Sequence, residues 1–142
     1  MLNPNYIVGL VDGEGSFTVY VRNPDIPKKA KRRVRIEPRF YLKLIEKDKN
    51  ILYELMDFFG CGNVYFQRDD RRNRQNCYRY EVANRNDLKK VIISFFKRHK
   101  LRSESRKKDF AIFCKIMKMI GMGKHLTKKG LREIYKIKTK MH

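Results

Sequence analysis

Residues 6–17, Tyr-Ile-Val-Gly-Leu-Val-Asp-Gly-Glu-Gly-Ser-Phe, decide how this chain is read. An apolar run with helical spacing ends in two carboxylates, Asp12 and Glu14, set among Gly13 and Gly15, and then passes into a β-rich segment. Gly9 and Gly13 stand four apart and so share one helix face. Neither has a Cβ, so a second helix can approach that face closely. Glu14, at the foot of the helix, would then sit near the packing partner. If the partner is the same helix from a second copy, two carboxylates meet on one axis. Such a pair repels itself, and a divalent cation relieves the repulsion. An ordinary buried helix with a Gly-rich C-cap explains one glycine. It does not explain an acid held between two.

Charge narrows the partner. The 142 residues are one domain by size and can build a single core. Lys and Arg number 35 against 15 Asp and Glu, a net charge of +20. Such a surface repels itself until a polyanion neutralises it, and nucleic acid is the default polyanion. An anionic membrane competes for that role, but no apolar run nears the roughly 20 residues of a spanning helix. The N-terminus enters the apolar helix almost at once, so no signal peptide is expected. Cys61, Cys77 and Cys114 are odd in number, widely spaced and without a CxxC. They read as reduced, mostly buried thiols of an intracellular protein.

Working outward from the signature, residues 16–22 alternate, with Phe17, Val19 and Val21 on one face and Thr18, Tyr20 and Arg22 on the other. A Pro-punctuated basic loop, 23–33, leads to a second strand at about 33–44. There Val34, Ile36, Phe40, Leu42 and Leu44 share one side, and Arg33, Arg35, Glu37, Arg39 and Lys43 the other. Pro38 falls on the apolar side and suggests a bulge or an edge position. Residues 48–59 read as a helix with Asp48 as N-cap and Gly60 as C-cap. A second strand pair follows at about 62–67 and 77–82, joined by an arginine-rich loop. Asp87 begins a helix running to about Lys97, another spans about 105–120, and a last one begins near Thr127 and fades into a basic tail. The order is αββαββα plus C-terminal helices, an α+β layout with an antiparallel sheet and helices on one face.

The segment Ile7-Val8-Gly9-Leu10-Val11-Asp12-Gly13-Glu14-Gly15 closely resembles the signature of the LAGLIDADG homing endonucleases. The element order agrees with that family over most of the chain, although only the N-terminal signature is specific. The resemblance implies a curved antiparallel sheet that lies across DNA as a saddle. By the same likeness the divisions are a signature and dimer helix at 1–15, a ββαββα core at 16–100, and C-terminal helices with a basic tail at 101–142. The signature helix would form the subunit interface through Ile7, Gly9, Leu10 and Gly13. Single-signature members act as homodimers, and no second copy of the signature is visible here.

The family's chemistry carries over position by position. Glu14 matches the acidic eighth position and would bind a catalytic Mg²⁺, or another divalent ion such as Mn²⁺, together with the carbonyl of Gly13. Carboxylate and carbonyl oxygens with retained waters suit a hard cation. Asp12, at the sixth position, would shape the helix end. A polar residue near the end of the second strand orders water around the scissile phosphate in the family, and Glu46 stands there. The family also sets a Lys or Arg just ahead of its third long helix. An ungapped overlay puts Glu104 at that place, a small shift in register puts Arg106 there, and Arg102 is close.

A two-stranded ribbon fits the DNA major groove, where each base pair shows its own donor and acceptor pattern. Arg22, Arg35, Arg39, Lys43 and Arg79 can reach guanine edges or phosphates. Asn63, Tyr65 and Gln67 suit adenine edges or shape contacts, and Thr18, Tyr20 and Glu37 share the polar faces. Loop residues Lys28, Lys29, Lys31, Arg32, Arg33, Arg71, Arg72 and Arg74 are placed for flanking phosphates, which position without specifying. The leading expectation is a homodimeric, metal-dependent endonuclease of a mobile intron, cutting a long pseudo-palindromic double-stranded DNA site. No membrane or small-molecule substrate is expected. The alternative is a non-cutting nucleic-acid binder of the same fold, such as an RNA maturase that assists splicing. The histidines (His99, His125, His142) show no HNH-type cluster, and no Walker loop or Ser/His/Asp grouping is apparent.

Overall fold

The computed structural model describes residues 2–26, 36–68 and 75–142. Helix α1, Pro4–Glu14, opens as its sequence dictates: Pro4 occupies the first turn and the Asn3 side chain accepts the Asn5 N–H at 2.7 Å. The chain then enters β1 (Gly15–Val21) without a loop. Strand β2 (Ile36–Ile45) returns antiparallel, with Gly15 opposite Leu42 and Val21 opposite Ile36. A 3₁₀ turn, Glu46–Asp48, leads to α2 (Lys49–Phe59), and strands β3 (Asn63–Gln67) and β4 (Cys77–Val82) follow. The helical stretch after them runs from α3 (Arg85–Asp87) through a π-helical segment, Leu88–Ile93, into α4 (Ser94–Arg98). Helices α5 (Glu104–Gly121) and α6 (Lys128–Lys138) complete the order.

The four strands are antiparallel in the order β1-β2-β4-β3. Period-two alternation sends one side chain in two to the helices and leaves the other on an open face. Phe17, Val19, Val21, Ile36, Phe40, Leu42, Tyr80 and Val82 are buried beneath the helices. Phe17 is the hub, with the rings of Phe40, Phe96, Phe110 and Phe113 at centroid distances of 5.1 to 5.7 Å. The same cluster takes in Ile7 and Val11 of α1, Leu52 and Leu55 of α2, and Ile134 of α6. The Tyr80 hydroxyl reaches the edge of this core and donates to the Cys61 carbonyl at 2.8 Å.

Several expected boundaries need correction. Glu46–Asp48 forms a turn of its own, so Asp48 precedes α2 without its side chain making a capping bond. Asn84, rather than Asp87, caps the next helix, accepting the Asp87 N–H at 3.0 Å. Pro38 causes no bulge: it pairs in register with Val19, and the ladder to β4 begins only at Phe40. At that point β2 has one neighbouring strand, which is the edge position proline tolerates. Gly60 does end α2, in the left-handed conformation at φ 68°. The three cysteines are free and half-buried rather than mostly buried.

Candidate nucleic-acid interface and metal centre

Two acids end α1, and their surroundings separate them. A helix C-terminus is the negative end of its dipole, so a carboxylate there is unfavourable without a counter-charge. No basic residue lies in the last turn of α1. Asp12 is relieved by another element: its carboxylate accepts the backbone N–H of Arg102 at 3.1 and 3.0 Å and of Ser103 at 3.1 Å. Ser103 is the N-cap of α5, so Asp12 sits at the positive end of that helix. Asp12 therefore anchors the start of α5 rather than merely shaping its own helix end. Glu14 has no such relief. It is exposed, and no partner for its carboxylate stands among the described residues.

Gly9 and Gly13 are exposed on α1, and a Cβ built at either would meet nothing within 4 Å. Beside them Tyr6 is 46% exposed and Leu10 is half-covered. Ile7 must be removed from the expected interface. It is fully enclosed in the core of its own chain, because it lies on the opposite helix face from Gly9.

Glu46 begins the 3₁₀ turn just beyond β2, exposed, with its N–H donated to the Asn76 carbonyl at 3.0 Å. Since Gly15 pairs with Leu42, the end of α1 and the end of β2 lie at the same end of the sheet. The start of α5 joins them through Asp12. Arg106 is in the first turn of α5, its N–H bonded to Ser103 Oγ at 3.4 Å and its guanidinium 4.0 Å from buried Asp109. Asp109 also accepts the His142 backbone N–H at 2.9 Å, which ties the C-terminal segment to α5. Glu104 points away into solvent and pairs with Lys107 at 3.4 Å, which leaves Arg106 and Arg102 as the basic candidates.

Among the described residues no three of His, Cys, Asp and Glu gather into a metal cluster. The Glu14 carboxylate and the Gly13 carbonyl are nevertheless oxygen donors of the kind a hard cation takes. The uncompensated charge at the helix end favours such an ion. These two donors fit a hard cation in kind but do not by themselves complete its coordination shell.

The open face of the sheet carries Thr18, Tyr20, Glu37, Arg39, Tyr41, Lys43, Arg79, Glu81, Asn63 and Tyr65, by strand parity and register. Gln67 lies on the same side at the end of β3, and Arg22 lies just past β1, donating to the Ile26 carbonyl at 3.1 Å. Here the sequence expectation of a cationic face is refined. Arg39 bonds Glu37 at 3.1 Å and lies 3.6 Å from Glu81, and Arg79 bonds Glu81 at 2.7 Å. The Arg79 guanidinium also covers the Tyr41 ring at 3.6 Å. Tyr41 and Glu81 were not expected as site residues, although Glu81 keeps step with Arg79 two residues away. A cleft of about 670 Å³ runs between this face and the segment Lys138–His142. Lys28, Lys29, Lys31, Arg32, Arg33, Arg35, Arg71, Arg72 and Arg74 lie outside the described residues.

A four-stranded antiparallel sheet with a polar open face, led by a glycine-faced helix ending in an acid, is the α+β arrangement the sequence resemblance implied. The LAGLIDADG endonuclease model matches residues 7–117, and the chain belongs to that family. It is 33% identical over 142 residues to a probable intron-encoded endonuclease 3 of Neurospora crassa, covering 99% of this chain and 25% of that protein. A probable intron-encoded DNA endonuclease 1 of Mycosarcoma maydis is 33% identical over 111 residues, 78% of this chain and 35% of that protein. The chain thus spans about a quarter to a third of the length of these relatives. The crystal structure of the homing endonuclease I-TnaI superposes with a TM-score of 0.82 at 36% identity, over 99% of this chain and 88% of that one. I-SmaMI bound to cleaved DNA superposes at 0.84 with 29% identity, over the whole of this chain but 44% of that one.

Proposed function

We propose that the chain is one half of a site-specific, metal-dependent DNA endonuclease that works as a homodimer joined through α1. The observation that carries this reading is the uncompensated Glu14 carboxylate at the end of a helix whose two exposed glycines its own fold does not use. Glycine costs a helix roughly 1 kcal/mol relative to alanine. Two such residues on an open face make sense if a second helix packs there. The superposition on nearly half of the I-SmaMI chain supports the same view, because a second unit then supplies the other half.

In this reading Glu14 and the Gly13 carbonyl hold Mg²⁺. Bound there, the ion would supply Lewis-acid stabilisation of the phosphorane and a more acidic water. The chain's own residues do the rest. Glu46 accepts hydrogen bonds from water at the same end of the sheet and orients it toward the phosphate. Arg106, on the first turn of α5, places positive charge where negative charge grows on the phosphate oxygens. The open face of the sheet lies in the major groove, and two faces related by a two-fold axis read a pseudo-palindromic site.

The test begins with a target selected for cleavage from a randomised duplex library, then placed in a plasmid. Linearisation with Mg²⁺, its loss in EDTA, and binding without cutting by the Glu14→Gln variant are the expected results. Normal cutting by that variant would sink the metal assignment. Binding without cutting by the wild-type chain under every divalent ion would favour the non-cutting alternative.

A further inference from the structure

We infer that Glu81 and Tyr41 are specificity-determining residues that hold two arginines ready to read neighbouring base pairs; the inference rests on the DNA-binding reading of the sheet. Register places Tyr41 opposite Glu81 on the central strands, with Lys43 opposite Arg79 in the next row. Two cations directly opposed repel each other. The Arg79 side chain accordingly leans back along β4 to Glu81, 2.7 Å away, and lies over the Tyr41 ring at 3.6 Å. Arg39 leans toward the same carboxylate from the other side, at 3.6 Å, while bonded to Glu37 at 3.1 Å.

Glu81 is the most enclosed of the four charged residues, its side chain 15% exposed, and it approaches both guanidiniums through the one oxygen Oε1. The Nε atoms of Arg39 and Arg79 are buried, so only the terminal Nη groups of each guanidinium can meet a base. A guanidinium fixed on one edge by a carboxylate and on one face by a ring has few rotamers left. Its ordering cost is met before DNA arrives, and what remains available is a planar fork of N–H donors. That fork matches guanine O6 and N7. Because both arginines converge on one oxygen, the two bases they read must be close. With a rise of about 3.4 Å per base step, they lie within about two steps of each other.

The carboxylate also sets selectivity against the backbone. Glu81 and Glu37 offset the charge of Arg39 and Arg79, so this patch gains less from a phosphate than a bare basic surface would. It gains most from an uncharged base edge with two acceptors. Removing Glu81 should therefore exchange sequence preference for general affinity.

The experiment is a comparison of base preference at every position of the selected target for wild type, Glu81→Gln, Tyr41→Leu, Arg39→Lys and Arg79→Lys. Expected is a loss of discrimination of about tenfold or more at two G·C pairs in each half-site, within two steps of each other. Glu81→Gln should flatten both positions, each arginine variant one of them, and Tyr41→Leu the one assigned to Arg79. Binding to random duplex at low salt should hold or tighten in Glu81→Gln. If Glu81→Gln changes affinity equally at all positions, or leaves the profile intact while the arginine variants alter it, the inference fails and the sheet reading stands. If neither arginine variant moves any position, the sheet reading itself fails.

Discussion

Asp12 and Glu14 are separated by one glycine, and the structure gives them opposite roles. Asp12 closes three hydrogen bonds to the start of α5, whereas Glu14 stands at the negative end of α1 without relief. Replacing Asp12 by Ala should cost about 1–2 kcal/mol, the scale of a lost N-cap. A lowered urea midpoint with an unchanged slope would register it. Glu14→Gln should leave the midpoint unchanged or raise it, since it removes an unfavourable charge from a helix end. A large destabilisation by Glu14→Gln would show that the carboxylate serves the fold instead. Cys114 allows a separate check. Burial pushes its thiol up to about 11, with Lys97 opposing the rise only in part. The nucleophilic thiolate is therefore scarce at pH 8, and iodoacetamide labelling followed by mass spectrometry should find Cys114 alkylated far more slowly than a free thiol. At this scale the sequence singled out Glu14, an acid between two glycines, and the structure leaves it exposed. The sequence did not reveal the role of Asp12, since a hydrogen bond across about 90 residues leaves no local pattern. Asp109 was hidden for the same reason.

Strand and helix faces were readable where burial imposes a period. Phe17, Val19 and Val21 against Thr18 and Tyr20 fix which side of β1 meets the core, and the structure buries the first three. Turns were less readable, because Asp48 and Asp87 offer the right cap chemistry but lose the position to a 3₁₀ turn and to Asn84. In α1 the glycines are informative because the monomer has no use for them. A Cβ at Gly9 or Gly13 meets nothing, whereas one at Gly62 would fall 2.7 Å from the Glu81 carbonyl. Gly9→Leu should therefore leave the monomer at least as stable, helped by roughly 1 kcal/mol of helix propensity. The same variant should fail to dimerise, which sedimentation would read as the monomer mass, and should lose cutting. Retained dimers would move the interface away from this helix. A collapsed melting temperature would show instead that Gly9 is needed within the protomer.

Over the whole molecule, the net charge is not concentrated on the open face of the sheet. The chain carries +20, but on the described part of the open face Glu37 and Glu81 partly balance Arg39, Lys43 and Arg79. Much of the excess thus belongs to the rest of the chain, and under the proposed function it meets phosphates there. Parity along the strands foretold the arginines but not their balancing acid. Parity alone allows the Arg79–Glu81 pair within β4, but the reach of Glu81 to Arg39 on β2 shows only in the register. This division has a measurable consequence. If about ten phosphates are neutralised in the complex, the logarithm of affinity should fall against the logarithm of salt with a slope of about −9. Replacing Lys29 and Lys31 by Gln should weaken binding evenly across sequences and reduce the slope by about 0.9 for each phosphate no longer neutralised. Arg79→Lys keeps the charge and should keep the slope while changing base preference. Titrations of one labelled duplex across a salt series would compare the two. Equal slopes for wild type and the double Gln variant would place the phosphate-binding cations elsewhere than on the first basic loop. A slope near zero for the wild-type chain would remove the electrostatic basis of DNA binding altogether.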